Sequence, residues 1–227
     1  MQKTKRNDAG FSLIELVIAI TIMLIALGIV SMIMSKAFSV RARESSTTDA
    51  LSSAQAALNV MSRDIGNSGY GIYVDPETEY ADNGIVIADS GAQKIRVRAN
   101  LSNSGGTPGA PGVSTLVLNA ASEDVSYFYD AATKSIVRYD PNGGGTGVPV
   151  TSVVVNRISD VQFRYYDYTG ATSAATGPFT VPTANTARVE VTVTVNLERV
   201  QGQVNPDSVT LTSEVTLRNN KYMLQQY

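Results

Sequence analysis

The sequence contains no cysteine, no histidine and no tryptophan among its 227 residues. Without Cys and His, the chain cannot form a disulfide, a zinc or iron site with thiolate or imidazole ligands, or a catalytic triad with a histidine base. Most common enzyme chemistries are therefore excluded, and we expect no enzymatic activity and no cofactor. A formal net charge of −2 also argues against a protein built to coat nucleic acid.

Proline, tyrosine and glycine are almost absent from the first 65 residues. All eight prolines lie at or after Pro76, all eleven tyrosines lie at or after Tyr70, and only two of the eighteen glycines, Gly10 and Gly28, precede Gly66. A segment with so few helix breakers and turn formers is compatible with helix throughout. The composition predicts a domain boundary near residues 66–71.

A long apolar run follows a short basic leader. The leader, residues 1–10, carries three basic side chains and one acidic side chain. The apolar run that follows, residues 11–34, would be about 36 Å long as a helix, enough to cross a hydrocarbon core of about 30 Å. We expect residues 11–35 to form the transmembrane half of an N-terminal helix, with the basic leader in the cytoplasm.

Glu15 interrupts this run, and the composition of the run leaves three explanations of the segment open. An ordinary signal peptide has an apolar region of about 7–15 residues followed by a small-residue cleavage site, which residues 35–37 could supply. An uncleaved anchor with an incidental Glu is the second explanation. The third is a functional acid, because a carboxylate in lipid costs about 2.5–3.5 kcal/mol and usually marks a functional site. The length of the run argues against the signal peptide, and the cost of the carboxylate favours the functional acid.

The string Gly-Phe-Ser-Leu-Ile-Glu from Gly10 to Glu15 resembles the class III signal of type IV prepilins and type II secretion pseudopilins. The resemblance implies that a prepilin peptidase cuts after Gly10 and N-methylates the new terminal Phe11. It also implies that Glu15 pairs with the Phe11 amino group of a neighbouring subunit during assembly. The implied partners are other pilin or pseudopilin subunits and the inner-membrane assembly machinery. The implied location is the bacterial inner membrane, then the pilus or cell surface or the periplasm.

The helical pattern continues beyond the apolar run to about Gly66. Residues 36–66 carry one apolar stripe with spacings of three and four, and charged residues such as Arg63 and Asp64 are expected off it. The stripe consists of Leu51, Ala54, Leu58, Met61 and Ile65. We expect this exported amphipathic half of the helix to pack on the sheet that follows.

After Gly71 the apolar pattern changes to alternation, which predicts half-buried antiparallel strands. The clearest runs are residues 188–198 and 209–218. Shorter candidate strands are residues 84–88, 94–101, 115–118, 126–129, 135–139, 150–155 and 160–168. Residues 103–112, 140–149 and 169–182 are predicted loops. The predicted fold is α+β, a pilin fold, with residues 67–227 forming an antiparallel β-sheet domain.

Three later segments narrow the resemblance. Residues 61–71, 161–170 and 214–219 are similar to stretches of PilW-type minor pilins, and the first two also to GspJ-type pseudopilins. The resemblance implies a structural minor pilin that contributes to filament assembly or initiation. A minor pseudopilin of type II secretion, or a tip module that binds DNA or surfaces, stays open.

An acidic loop is a candidate calcium site, since calcium prefers oxygen-rich loops. Its carboxylates belong to Asp75, Glu77, Glu79 and Asp82. The loop lacks the spacing and the glycine of an EF-hand, so a solvated turn is the favoured explanation.

A basic strand is a candidate nucleic-acid contact. Lys94, Arg96 and Arg98 alternate with apolar residues and should share one face of a strand. Removal of the leader would leave 15 basic and 19 acidic residues, a net charge of −4. That acidic balance favours a solvated outer face over a phosphate-binding surface.

Overall fold

The computed structural model describes residues 12–72, 83–102, 117–168, 170, 175–197 and 208–220. The chain divides into two compact units, one ending at Ser46 and the other beginning at Thr47. One helix, α1 (Leu13–Gly66), contributes residues to both units. The predicted long N-terminal helix and its end at Gly66 are therefore confirmed.

The C-terminal turns of α1, from Ala54 onward, pack into the core of the second unit. Four of the predicted stripe residues and Ala57 are at most 1% exposed, whereas Leu51 is only half-buried. The buried residues are Ala54, Ala57, Leu58, Met61 and Ile65. After Gly66 the chain turns, with the left-handed φ of +80° at Gly69 and +63° at Gly71 that glycine adopts readily. The amphipathic pattern thus correctly identified the docked face.

The second unit contains two antiparallel sheets of four strands each. The first has the order β1-β2-β3-β4 and the second the order β6-β5-β7-β8. The first sheet consists of β1 (Lys94–Arg98), β2 (Asp124–Asp130), β3 (Ser135–Asp140) and β4 (Val150–Val155). The second consists of β5 (Ile158–Asp167), β6 (Thr176–Phe179), β7 (Thr186–Asn196) and β8 (Ser208–Thr216).

Helix and sheets share one apolar core, and the fold is α+β as predicted. From Ala187 onward strand β7 alternates, with four valines fully buried on one face and partly exposed polar side chains on the other. Phe163 and Tyr165 of β5 are also fully buried, and the Tyr165 hydroxyl donates to the Gly91 carbonyl at 2.9 Å. The buried valines are Val189, Val191, Val193 and Val195. Each is worth roughly 1.5–3 kcal/mol of transfer free energy, so this strand is a major part of the core.

Two sequence-based expectations were wrong. Residues 84–88 do not form a strand: only Ile85 makes a bridge, to Val97, because the chain turns into a 3-10 helix at Ile87–Asp89. The predicted loop 169–182 contains the edge strand β6, which pairs with β5 although it carries Pro178. An edge strand tolerates proline, since one row of its backbone groups needs no partner.

The remaining candidates have mixed outcomes. The strand predicted at 94–101 ends at Arg98, and residues 117–118 lie in no strand. Residues 103–112 and 115–116 fall outside the described residues. Turn residues 141–149 connect β3 and β4, which agrees with the loop expected there.

Candidate functional site

Of the predicted processing and assembly residues, Glu15 is the one that the structure describes. Glu15 is exposed in the first turn of this helix, and no ion pair joins it to another of the described residues. Gly10 and Phe11 fall outside the described residues. Four positions separate Phe11 from Glu15, so a helix that extended to Phe11 would carry both on one face.

The large apolar side chains of the first unit are exposed to an unusual degree. Between Leu13 and Met34 every large apolar side chain is 50–79% exposed. In the part of the chain that the structure describes, α1 is the one helix long and apolar enough to cross a membrane, a test that a signal sequence near the N-terminus also passes. A helix that is apolar on all sides needs lipid or other protein around it.

A polar cluster joins the C-terminal turns of α1 to the first sheet. Its acceptor is the carboxylate of Asp64, whose side chain is only 8% exposed. The hydroxyl of Tyr127 on β2 donates to Asp64 Oδ2 at 2.6 Å, and Arg138 Nε on β3 lies 3.4 Å from the same oxygen. Arg138 also donates to Asp140 at 3.3 Å and to Ser122 at 2.8 Å. The helix is thus held by charge-assisted hydrogen bonds as well as by apolar packing.

Burial and neighbouring charges shift two pKa values in this cluster. Burial raises the pKa of the Tyr127 hydroxyl, and the adjacent Asp64 carboxylate raises it further. Burial lowers the pKa of Arg138, but Tyr127, Asp64 and Asp140 outweigh that effect, so its pKa is raised. Tyr127 therefore stays a neutral donor and Arg138 stays a cation under ordinary conditions.

Sequence reasoning missed this cluster because Asp64 was expected off the buried stripe. Asp64 follows Met61 by three residues and Ala57 by seven, which places it on the edge of the buried face. That spacing was the available signal. A lone acid at such a position is equally compatible with a surface residue. Only its contacts with Tyr127 and Arg138, which are distant in sequence, show that Asp64 is a buried acceptor.

A second carboxylate, Glu123, is buried directly before β2. It accepts hydrogen bonds from the Ser102 amide at 2.8 Å, the Ser102 hydroxyl at 2.7 Å and the Ala120 amide at 2.9 Å. Burial raises the pKa of Glu123, but these hydrogen bonds outweigh burial and leave it below its usual value. Glu123 is a structural acceptor that fixes two chain segments beside the strand.

The basic strand lies in β1, and its central charge is paired. The Arg96 guanidinium makes a bidentate contact with Asp124, at 2.8 and 2.7 Å, and also donates to Asp89. These carboxylates raise the pKa of Arg96, Asp124 being the main cause. The Lys94 ammonium lies 4.0 Å from Asp89, and Arg98 is partly exposed. The structure therefore brings this predicted cationic group together with acids.

The candidate calcium ligands Asp75, Glu77, Glu79 and Asp82 fall outside the described residues. Within the residues that are described, no group of three or more acidic side chains is arranged to hold a metal ion.

Comparison with known families gives one match. Residues 5–31 match the family model of the prokaryotic N-terminal methylation motif, a span that includes Gly10, Phe11 and Glu15. No curated protein and no solved structure matches the chain. The methylation motif and the long apolar helix that carries it support a type IV pilin-like protein, either a pilin or a pseudopilin.

Proposed function

We propose that this protein is a structural minor pilin of a type IV pilus, which contributes to assembly or initiation of the filament and has no enzymatic activity. The observation that carries the proposal is the position of the methylation motif. It covers residues 5–31 and so coincides with the start of α1, where every large apolar side chain between Leu13 and Met34 is exposed.

In the proposed sequence of events, the chain first inserts into the inner membrane, with its N-terminus in the cytoplasm. Residues 1–10 are the leader, residues 11–35 the transmembrane half of the helix, residues 36–66 its exported half, and residues 67–227 the sheet domain. A prepilin peptidase removes the leader after Gly10 and methylates Phe11. The assembly machinery then extracts the mature chain from lipid into a filament of other pilin subunits, which places the sheet domain in the periplasm or at the cell surface.

Electrostatics gives Glu15 a role in that extraction. A carboxylate in a medium of low dielectric constant is costly unless it meets a cation. Cleavage before Phe11 creates an α-amine in the same segment, which otherwise has no positive charge between Phe11 and Ser35. An amine on one subunit and Glu15 on the next can therefore neutralise each other, and this pairing would select the depth at which a new subunit enters.

The mature N-terminus tests the processing step. Mass spectrometry of the chain purified from a host with a prepilin peptidase should find N-methylated Phe11 as the first residue. Gly10→Val should leave the leader attached, because Gly10 is the residue before the proposed cut in the class III signal. An intact leader on the wild-type chain, or a terminus near Phe38, would contradict the proposal.

Glu15→Ala tests the assembly step. The variant should fold and insert in the membrane as the wild type does but should be depleted from sheared filaments roughly tenfold or more, since about 1.4 kcal/mol of lost pairing corresponds to a factor of ten. Glu44→Ala, the other glutamate of α1, is the matched control and should be incorporated normally. Equal incorporation of the two variants would remove the pairing role of Glu15.

A minor pseudopilin of type II secretion, of the GspJ kind, is the related alternative, because prepilins and pseudopilins share the methylation motif. Deletion of the gene separates the two functions. Loss of surface filaments with normal protein secretion supports the pilus, and loss of secretion with normal filaments supports the pseudopilin.

A further inference from the structure

The outer face of the first sheet carries a groove that the proposed assembly function does not use. On β1 and β2 the side chains alternate between the buried core, with Ile95 and Tyr127, and this outer face, with Lys94 and Phe128. Lys94 lies opposite Phe128 in the register of the two strands, and both residues are on this outer face.

A small side chain between larger ones creates the groove. In the neighbouring cross-strand row, Arg96 of β1 lies opposite Ser126 of β2, and Ser126 lies opposite Tyr139 of β3. The serine is only 7% exposed and forms the floor, while Tyr139 and Pro141 line one side and Arg96 and Lys94 the other. The resulting open cavity has a volume of about 740 Å³, within the usual range for small-ligand sites.

Three aromatic residues, Phe128, Tyr129 and Tyr139, line this groove. Tyr129 also packs against the apolar core, so Phe128 and Tyr139 are the two rings of the outer face. Tyr139, next to the end of β3, is 38% exposed, and Phe128 beside it is half-buried. They are diagonal neighbours on β2 and β3, because Phe128 pairs with Val137 and Tyr139 pairs with Ser126. Two neighbouring aromatic side chains give the groove an apolar patch of limited size, with polar groups at its border.

The charges around the rings disfavour a polyanion. Arg96 is engaged by both Asp89 and Asp124, so its guanidinium has little capacity left for a ligand phosphate. Lys94 is the more available cation, with a side chain 46% exposed and an ammonium 4.0 Å from Asp89. Two basic and two acidic groups leave the rim without net charge, which removes the counterion release that drives nucleic-acid binding.

We propose that this groove binds an uncharged saccharide. The apolar C–H face of a pyranose ring would stack on Tyr139 and Phe128, and the ring hydroxyls would accept from the Lys94 ammonium and exchange hydrogen bonds with the Ser126 hydroxyl. A neutral sugar matches both properties of the site, since it has one apolar face and a hydroxyl border without net charge. This inference goes beyond the assembly function and does not depend on it.

The test uses the full chain in dodecylphosphocholine micelles, because a detergent with a sugar headgroup would compete for the groove. Saturation-transfer NMR is recorded with three neutral probes, cellotriose, maltotriose and triacetylchitotriose, and with two anionic probes, trigalacturonate and an eight-nucleotide oligothymidine. At least one neutral trisaccharide should bind, and more strongly than either anion.

Tyr139→Ala should weaken the binding of that trisaccharide roughly tenfold, as expected for the loss of about 1.4 kcal/mol of ring contact. Tyr70→Ala is the matched control, since Tyr70 is 54% exposed and does not line the groove, and its affinity should equal that of the wild type. Lys94→Gln removes a charged donor without touching the core and should also weaken binding.

Absence of binding by all three neutral probes would overturn the proposal. So would equal affinities of Tyr139→Ala and Tyr70→Ala, or preferential binding of the oligothymidine. None of these results bears on cleavage at Gly10 or on incorporation into filaments, so the two proposals fail separately.

Discussion

The two parts of helix α1 differ in what surrounds their apolar side chains. Up to Ser46 the large apolar residues are exposed, from 79% at Leu13 to 50% at Ile20. From Thr47 onward the stripe of Ala54, Leu58 and Met61 is at most 1% exposed.

Composition explains this difference. Residues 16–35 contain no charged side chain, so this part is apolar on every face, whereas the later turns alternate apolar and polar residues. A helix with one apolar stripe can bury that stripe against its own sheet, but a helix that is apolar all round cannot satisfy every face in this way. One continuous helix can therefore provide the membrane or filament contact in one part and the fold of the domain in the other.

The largest expected effect comes from comparing a leucine in the docked part of α1 with a leucine in its exposed part. Leu58→Ala should lower the free energy of unfolding by about 2–5 kcal/mol, because it leaves a cavity in a closely packed core. Leu27→Ala, at a position 60% exposed, should change it by less than about 0.5 kcal/mol. Urea unfolding of the full chain in micelles, followed by tyrosine fluorescence, measures both. Equal losses would contradict the distinction between the docked and exposed parts.

The next effect concerns the polar cluster at the end of the docked part. Asp64→Ala should destabilise the domain by about 1–3 kcal/mol, since it leaves the Tyr127 hydroxyl and one side of Arg138 without an acceptor. Asp49→Ala, at an exposed position of the same helix, should stay within about 0.5 kcal/mol of the wild type. The same unfolding measurement applies. A neutral result for Asp64→Ala would mean that apolar packing alone docks the helix.

Alkaline pH should destabilise the second unit. Burial raises the pKa of Tyr127 and of Tyr165, so both hydroxyls keep their protons in the folded state at pH values where the unfolded tyrosines, with a pKa of about 10, lose theirs. The unfolded state then binds fewer protons, and stability falls as pH rises above about 10, by up to about 1.4 kcal/mol per pH unit for each tyrosine.

Unfolding titrations between pH 8 and pH 11 check this slope. Tyr127→Phe should reduce the slope of stability against pH by about the contribution of one tyrosine. Tyr70→Phe, at an exposed position, serves as the control. An unchanged slope in Tyr127→Phe would show that its hydroxyl does not carry the alkaline sensitivity.

The smallest expected effect compares two serines of α1. The Ser62 hydroxyl lies 3.0 Å from that of Ser213 on β8, in a partly buried contact, whereas the Ser39 hydroxyl donates to the Lys36 carbonyl on an exposed face. Ser62→Ala should cost about 0.5–1.5 kcal/mol and Ser39→Ala close to nothing. Thermal unfolding of the two variants side by side resolves this difference. A larger loss in Ser39→Ala would reverse the comparison.

Much of the fold could be predicted because its periodic signals are strong. The alternation over residues 188–198 predicted β7, and spacings of three and four predicted the buried stripe of α1. Strand β6 was missed because its four residues, with Gly177 and Pro178, look like a loop and depend on pairing with β5. Residues 84–88 have a strand-like composition, but the chain leaves the sheet after a single bridge at Ile85.

The candidate sites, too, could be predicted only where the signal lies in consecutive residues. The methylation motif is local, so it could be recognised from consecutive residues, and the family match agrees with it. The pairing of Arg96 with Asp89 and Asp124, and of Asp64 with Tyr127 and Arg138, joins residues up to 74 positions apart. No local pattern contains such pairs, because each depends on the register of strands that are distant in sequence.

The absence of Cys, His and Trp, the uncharged run of residues 16–35 and the motif around Glu15 were determined by the sequence itself, because composition and short-range spacing are properties of the chain. Tertiary structure alone decided that the first sheet and the second are separate, that Asp64 is a buried acceptor, and that Tyr139 and Phe128 line a groove. The physical reason is that burial and side-chain pairing follow from which strands meet, and in what register, once the core has formed.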